Sequence, residues 1–162
     1  MANLSAGGIN CDFVIYVDEK ATSTSGGTFT SGAWRTRDLN TVVYSRQTGS
    51  DWASLASNVI TLQPGSYFVE ALAPAFRVNT HQIRFQNTAD GTTAILGTSE
   101  FSSSVADYFS TNSYLTGEVT ITAQKTFEVQ HYGAITKAKN GLGNSVSFSP
   151  SHFATIKIVK LK

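Results

Sequence analysis

The sequence predicts an all-β sandwich, and three observations carry that expectation. Val, Ile, Phe, Tyr and Thr recur in short alternating runs, and nowhere do Leu, Lys and Glu cluster with the 3.6-residue period of an amphipathic helix. Charged residues make up only 14% of the chain, with Ser, Thr and Gly in their place. Turn residues cut the chain into about eight strand-length segments with no blade-length repeat, which suits a sandwich or jelly roll rather than a propeller. At 162 residues one domain is expected: a polar lead over 1–10, then a single unit over 11–162.

In chain order, Phe13-Val14-Ile15-Tyr16-Val17 is an apolar run that suits a strand covered on both faces, by the core on one side and another subunit on the other. Ala21 to Gly32, rich in Thr, Ser and Gly, reads as a surface loop. Trp34 to Leu39 alternates, placing Trp34 and Thr36 on one face and Arg35 and Arg37 on the other. Tyr44 to Ser57 reads as a polar connection anchored by Trp52 and Leu55. Val59 to Ala73 is the most strongly specified hairpin: a strand end, a Pro64-Gly65 turn of type II, and a long alternating strand with Tyr67, Val69 and Ala71 facing the core.

Thr80 to Asn87 has a clean period of two, with His81, Ile83 and Phe85 inward; Asn87 to Gly91 then turns into Thr93 to Gly97. Ser99 to Ser113 reads as a Ser-rich loop carrying Phe101, Tyr108, Phe109 and Asn112. Tyr114 to Ile121 and Thr126 to Tyr132 are expected to pair as a second hairpin. Lys137 to Ser145, with Asn140-Gly141 and Gly143, is a flexible loop within a candidate binding loop that runs from Lys137 to Pro150, and Phe153 to Leu161 is the last strand.

A net charge of +1 supplies no electrostatic reason to expect nucleic acid or a membrane surface as partner. The single cysteine, Cys11, rules out an intrachain disulfide and is read as a buried or lead-segment thiol rather than a nucleophile. No apolar run is long enough for a helix to span a bilayer, and the opening Met-Ala-Asn-Leu-Ser-Ala-Gly-Gly lacks the regions of a signal peptide. Synthesis in the cytoplasm is therefore expected.

The Pro64-Gly-Ser-Tyr-Phe-Val strand, Tyr114-Leu-Thr-Gly-Glu-Val-Thr-Ile followed by Lys125-Thr-Phe-Glu-Val, and the aromatic-led last strand together resemble the TNF-like jelly roll shared with complement globular heads. A closer likeness rests on Gly26 to Thr41, Ser57-Asn58, Ala73-Pro74-Ala75, Val78 to Gln82 and Leu96 to Glu100. These segments resemble a domain at the C-termini of bacteriophage tail fibres and other virion proteins. The resemblance implies a homotrimer packed through one sheet, with three strands side by side. Alternation then puts Phe68, Glu70 and Leu72, Tyr114, Thr116 and Glu118, and Phe153, Thr155 and Lys157 on the outer face, as the trimer interface.

Glu70 and Glu118 on one face could serve as the acid and base of a glycosidase, but a face closed at a trimer axis excludes polysaccharide. An ion cluster with Lys157 is the simpler reading. His81 and His131 lack a third ligand at motif spacing and are read as core histidines bonded to backbone; Arg84 and Glu128 are read as a cross-strand pair. The glycines form no phosphate or dinucleotide motif, and no catalytic residue, metal or cofactor is expected. The implied function is a non-enzymatic virion protein, assembled in the host cytoplasm: a tail-fibre or receptor-binding head that presents Phe101, Tyr108, Phe109, Asn112, Asn140 and Asn144 to a host-surface glycan or protein. A capsid decoration, cement or head-fibre role is the alternative, with other virion proteins as partners, and a polysaccharide-degrading enzyme ranks last.

Overall fold

The computed structural model describes residues 11–105 and 109–161. Eleven strands occur there and no helix: β1 Phe13–Lys20, β2 Arg35–Thr36, β3 Thr41–Arg46, β4 Ala53–Ala56, β5 Val59–Leu62, β6 Gly65–Phe76, β7 Asn79–Asn87, β8 Thr92–Ser102, β9 Ser110–Ile121, β10 Lys125–Gly133 and β11 Ser151–Leu161. They form two antiparallel sheets, a five-stranded one ordered β3-β1-β11-β6-β9 and a six-stranded one ordered β4-β5-β10-β7-β8, with β2 added on β10.

The core lies between the sheets, and alternation fills it from both sides. Tyr67, Val69, Leu115, Ile156 and Ile158 point in from the first sheet, and Ile60, Leu62, Ile83, Phe85, Phe127 and Val129 from the second. Phe85 stacks on Phe127 with ring centroids 4.6 Å apart, and Trp52 lies 5.3 Å from Tyr67. Trp52 is buried and Leu55 packs on the core, so the two expected anchors of that connection hold.

Both expected hairpins prove to be crossovers between sheets. β5 pairs with β4 and β10, whereas β6 pairs with β11 and β9, so Pro64-Gly65 carries the chain from one sheet to the other. Gly65 has φ 155, far from the value of about +80° that a type II turn needs. A Cβ there would come within 3.1 Å of the Tyr67 hydroxyl, which donates to Gln63 O. The 122–124 turn likewise passes from β9 to β10. The crossovers run side by side, joined by Gln63 Nε2 donating to Gln124 Oε1. A turn signal marks a reversal of direction, and two paired strands or two facing sheets satisfy it equally.

The Asn87–Gly91 turn does close a hairpin, with Asp90 N donating to Asn87 Oδ1 and Gly91 at φ 70. β4 and the end of β3 lie in the stretch read as connection. β3 is an edge strand paired only with β1, and Val42, Val43 and Tyr44 are all exposed, so it buries no face that would leave an alternating pattern. On the opposite side the sheets are stitched through hydroxyls: Ser113 Oγ donates to Thr98 O and accepts from Ile83 N, and Thr98 Oγ1 accepts from Tyr114 N.

Candidate functional site: the outer face of the five-stranded sheet

β11, β6 and β9 lie side by side as expected, and their register sets out the outer face in rows. One row reads Phe13, Val159, Phe68, Glu118; the next reads Ile15, Lys157, Glu70, Thr116; the third includes Thr155, Leu72 and Tyr114. In the middle row Lys157 Nζ donates to Glu70 Oε2 at 3.0 Å. The charge that alternation places at the centre is thus neutralised within one chain, and apolar side chains flank it above and below. Tyr114 is half exposed, and Phe13 stacks on Tyr44 from β3 with ring centroids 4.4 Å apart. Beside the ion pair lies a depression of about 520 Å³, whose lining includes Leu72, Tyr114, Thr116 and Thr155.

Phe153, which alternation sets on this face, is only 4% exposed: Ala154, Ile156 and Ile158 belong to the core between the sheets and Phe153 does not, while a Cβ on Gly143 would meet its ring. It is covered within one chain, close to where the β1/β11 register shifts between Val17 and Glu19. The face also includes Phe13, Ile15 and Val159. Val159 was legible, because it alternates with the inward Ile156 and Ile158.

The candidate ligand residues gather at one end of the sandwich, since β8 and β10 finish where β7, β9 and β11 begin. Their settings differ from the expected long loop. Strands extend to Ser102 and from Ser110, so Phe101 stands on β8 and Asn112 on β9, with only 103–109 between them. Phe101 and Phe109 are exposed, and Tyr108 lies outside the described residues. Asn112 donates to the Tyr114 hydroxyl, while Asn140 Nδ2 donates to Asn144 Oδ1 at 2.6 Å, so both 137–150 asparagines hold their own loop.

The histidines bond to each other rather than to backbone: His81 Nδ1 and His131 Nε2 are 2.9 Å apart, and His81 Nε2 meets Thr111 Oγ1 at 2.8 Å. Burial lowers the His81 pKa to about 4, against a small opposing pull from Glu100, and holds His131 well below the usual range. Among the described residues no three His, Cys, Asp or Glu side chains gather as a metal site. Arg84 does not pair with Glu128. It donates twice to Gln130 Oε1 and sits 4.4 Å from the Trp34 ring, while Gln130 Nε2 donates to Glu128, because Gln130 is the residue in register with Arg84. Arg37, expected beside Arg35, is completely enclosed, since β2 ends at Thr36.

No family model matches the sequence, and no curated protein matches it. Solved structures do. Murine APRIL at pH 5.0 superposes with TM-score 0.60 over 94% of this chain and 100% of that one, at 12% identity. Eiger TNF from S. frugiperda superposes with TM-score 0.58 over 93% and 94%, at 14% identity. The fold is a TNF-like jelly roll. At these identities the likeness speaks for the arrangement of strands alone, and the two sheet crossovers and the β3-β1-β11-β6-β9 order are the parts of that jelly roll on which the outer face is built.

Proposed function

We propose that the protein is a non-enzymatic module that assembles as a homotrimer through the outer face of its five-stranded sheet. The observation that carries this is the arrangement of that face: Phe13, Val159, Phe68, Leu72 and Tyr114 around a carboxylate already paired with Lys157. Apolar side chains with few, internally neutralised charges suit the centre of an interface. A surface pair such as Glu70–Lys157 stabilises a monomer by only ~0–1 kcal/mol, so its value lies in neutralising those two charges when the face is covered. With Glu70 engaged and Glu118 set opposite Phe68, the two carboxylates support assembly better than glycoside hydrolysis.

In the virion setting to which the sequence resemblance points, the trimer serves as a bacteriophage tail-fibre or receptor-binding head. It turns the end bearing Phe101, Phe109, Asn112, Asn140 and Asn144 toward a host-surface glycan or protein. Labelling of phage particles with antibody tests this. Tail-tip labelling, with adsorption blocked by purified protein, is the expected result. Uniform labelling of the head replaces host binding with capsid decoration.

A further inference from the structure

The outer face of the six-stranded sheet gathers aromatic side chains at the same end of the sandwich as the candidate ligand residues. Its register sets Phe101 beside Thr80, then Ser99, Gln82 and Tyr132 in one row, with Arg84 and Gln130 in the next. Trp34, two residues before the Thr36 that pairs with Gln130, falls beside Tyr132, with ring centroids 5.7 Å apart at 62°. Arg84 lies over the Trp34 ring and is itself held by Gln130 Oε1 and Thr93 Oγ1, so the indole is fixed in place. Against these rings lies a depression of about 200 Å³, lined by Trp34, Thr80, Gln82, Ser99 and Tyr132 over buried His81.

The lining suits a neutral, hydroxylated ligand. No charged side chain lines the depression, and burial keeps His81 neutral above about pH 4. Thr80, Ser99 and Tyr132 are exposed, and none of their hydroxyls is bonded to another side chain among the described residues. Gln82 is pinned by Nε2 donating to Gly97 O at 2.8 Å, which leaves Oε1 to accept. A purely apolar ligand would strand these polar groups, and an anion would find the Arg84 guanidinium already engaged. A pyranose ring supplies both kinds of contact, C–H groups for the aromatic rings and hydroxyls for the polar groups. The depression has room for one such ring, being smaller than the ~300–1,000 Å³ of a pocket for a drug-sized ligand.

We propose that this depression binds one neutral pyranose residue of a surface glycan, its C–H face against Tyr132 with Trp34 as the adjoining wall, and its hydroxyls bonded to Gln82 Oε1, Thr80 Oγ1 and Ser99 Oγ. Trp34 and Gln82 are held by their neighbours before any ligand arrives, so little ordering is lost on binding. The site lies on the sheet opposite the assembly face, so a trimer carries three copies of it and gains avidity for a repeating glycan without new contacts. Only its biological role rests on the host-binding reading above, because sugar binding by the purified protein is measured whatever the particle labelling gives.

Saturation-transfer NMR and tryptophan fluorescence titration of the intact protein test the proposal, with the methyl glycosides of glucose, galactose, mannose, rhamnose and N-acetylglucosamine as probes and glycerol as control. At least one glycoside binds at millimolar concentration, with saturation strongest on its ring C–H protons and a change in indole emission, and glycerol produces neither. Tyr132→Ala weakens binding by about tenfold, the loss of one stacked contact, and Ser99→Ala by about threefold, the loss of one neutral hydrogen bond. Both variants alter exposed side chains and leave the core intact. Failure of every glycoside to bind, an equal response to glycerol, or affinity unchanged in Tyr132→Ala overturns the proposal and leaves trimer assembly and the particle labelling as they stand.

Discussion

At the scale of single residues, the buried polar groups set the response to acid. The unfolded chain takes up protons on its histidines from about pH 6.5 downward, whereas folded His81 does so only near 4. The unfolded state therefore binds more protons in that window, and stability falls as pH drops from 6.5 to 4, by on the order of 3 kcal/mol from His81 alone. Asp18, whose carboxyl burial pushes up, acts in the opposite sense in acid. Comparison with a His81→Gln variant isolates the histidine part: urea midpoints at pH 7 and pH 4.5 lie closer together in the variant than in the wild type. Gly133 is a second sensitive point, because a Cβ there would stand 2.6 Å from the buried Phe29 ring. Gly133→Ala is expected to cost ~1–3 kcal/mol in urea unfolding, as overpacking does. Little of this was written in the sequence. Inward alternation of His81 and His131 was legible, but their bond to each other depends on the β7/β10 register, which periodicity does not specify.

At the scale of elements, strands that bury one face were legible and strands that bury none were not. β6, β7, β9 and β10 read correctly because every second residue enters the core; β3, with three exposed apolar residues in succession, left no such pattern. The crossovers at 63–64 and 122–124 read as hairpins because local turn chemistry does not record which sheet the next strand joins. Phe153 was expected to be open to a partner but is covered within the chain beside Gly143, a contact between distant stretches that periodicity does not record. The strand assignments separate two phenylalanines of similar sequence context. Phe85→Ala on β7, losing the stack on Phe127, is expected to cost ~3–5 kcal/mol. Phe101→Ala, near the open end of β8, should change stability by only about ±0.5 kcal/mol. Chemical denaturation of both variants checks the contrast.

At the scale of the whole molecule, one sheet face carries the account. Three adjacent strands bring Phe68, Leu72 and Tyr114 around the Glu70–Lys157 pair, and β1 adds Phe13 and Ile15. That arrangement follows from β11, β6 and β9 lying side by side, as the resemblance to a TNF-like jelly roll implied; the alternation of β6, β9 and β11 then decides which side chains face outward. Phe68→Asp places an unpaired carboxylate beside Glu118 in the middle of the face, and is expected to abolish assembly while leaving the monomer folded, since Tyr67 and Val69 still fill the core. The most direct measurement is the mass in solution by light scattering coupled to size exclusion, for the wild type and Phe68→Asp side by side. The expected mass is three times 17.4 kDa for the wild type and 17.4 kDa for the variant. A wild-type protein that runs as a 17.4 kDa monomer at every concentration contradicts it.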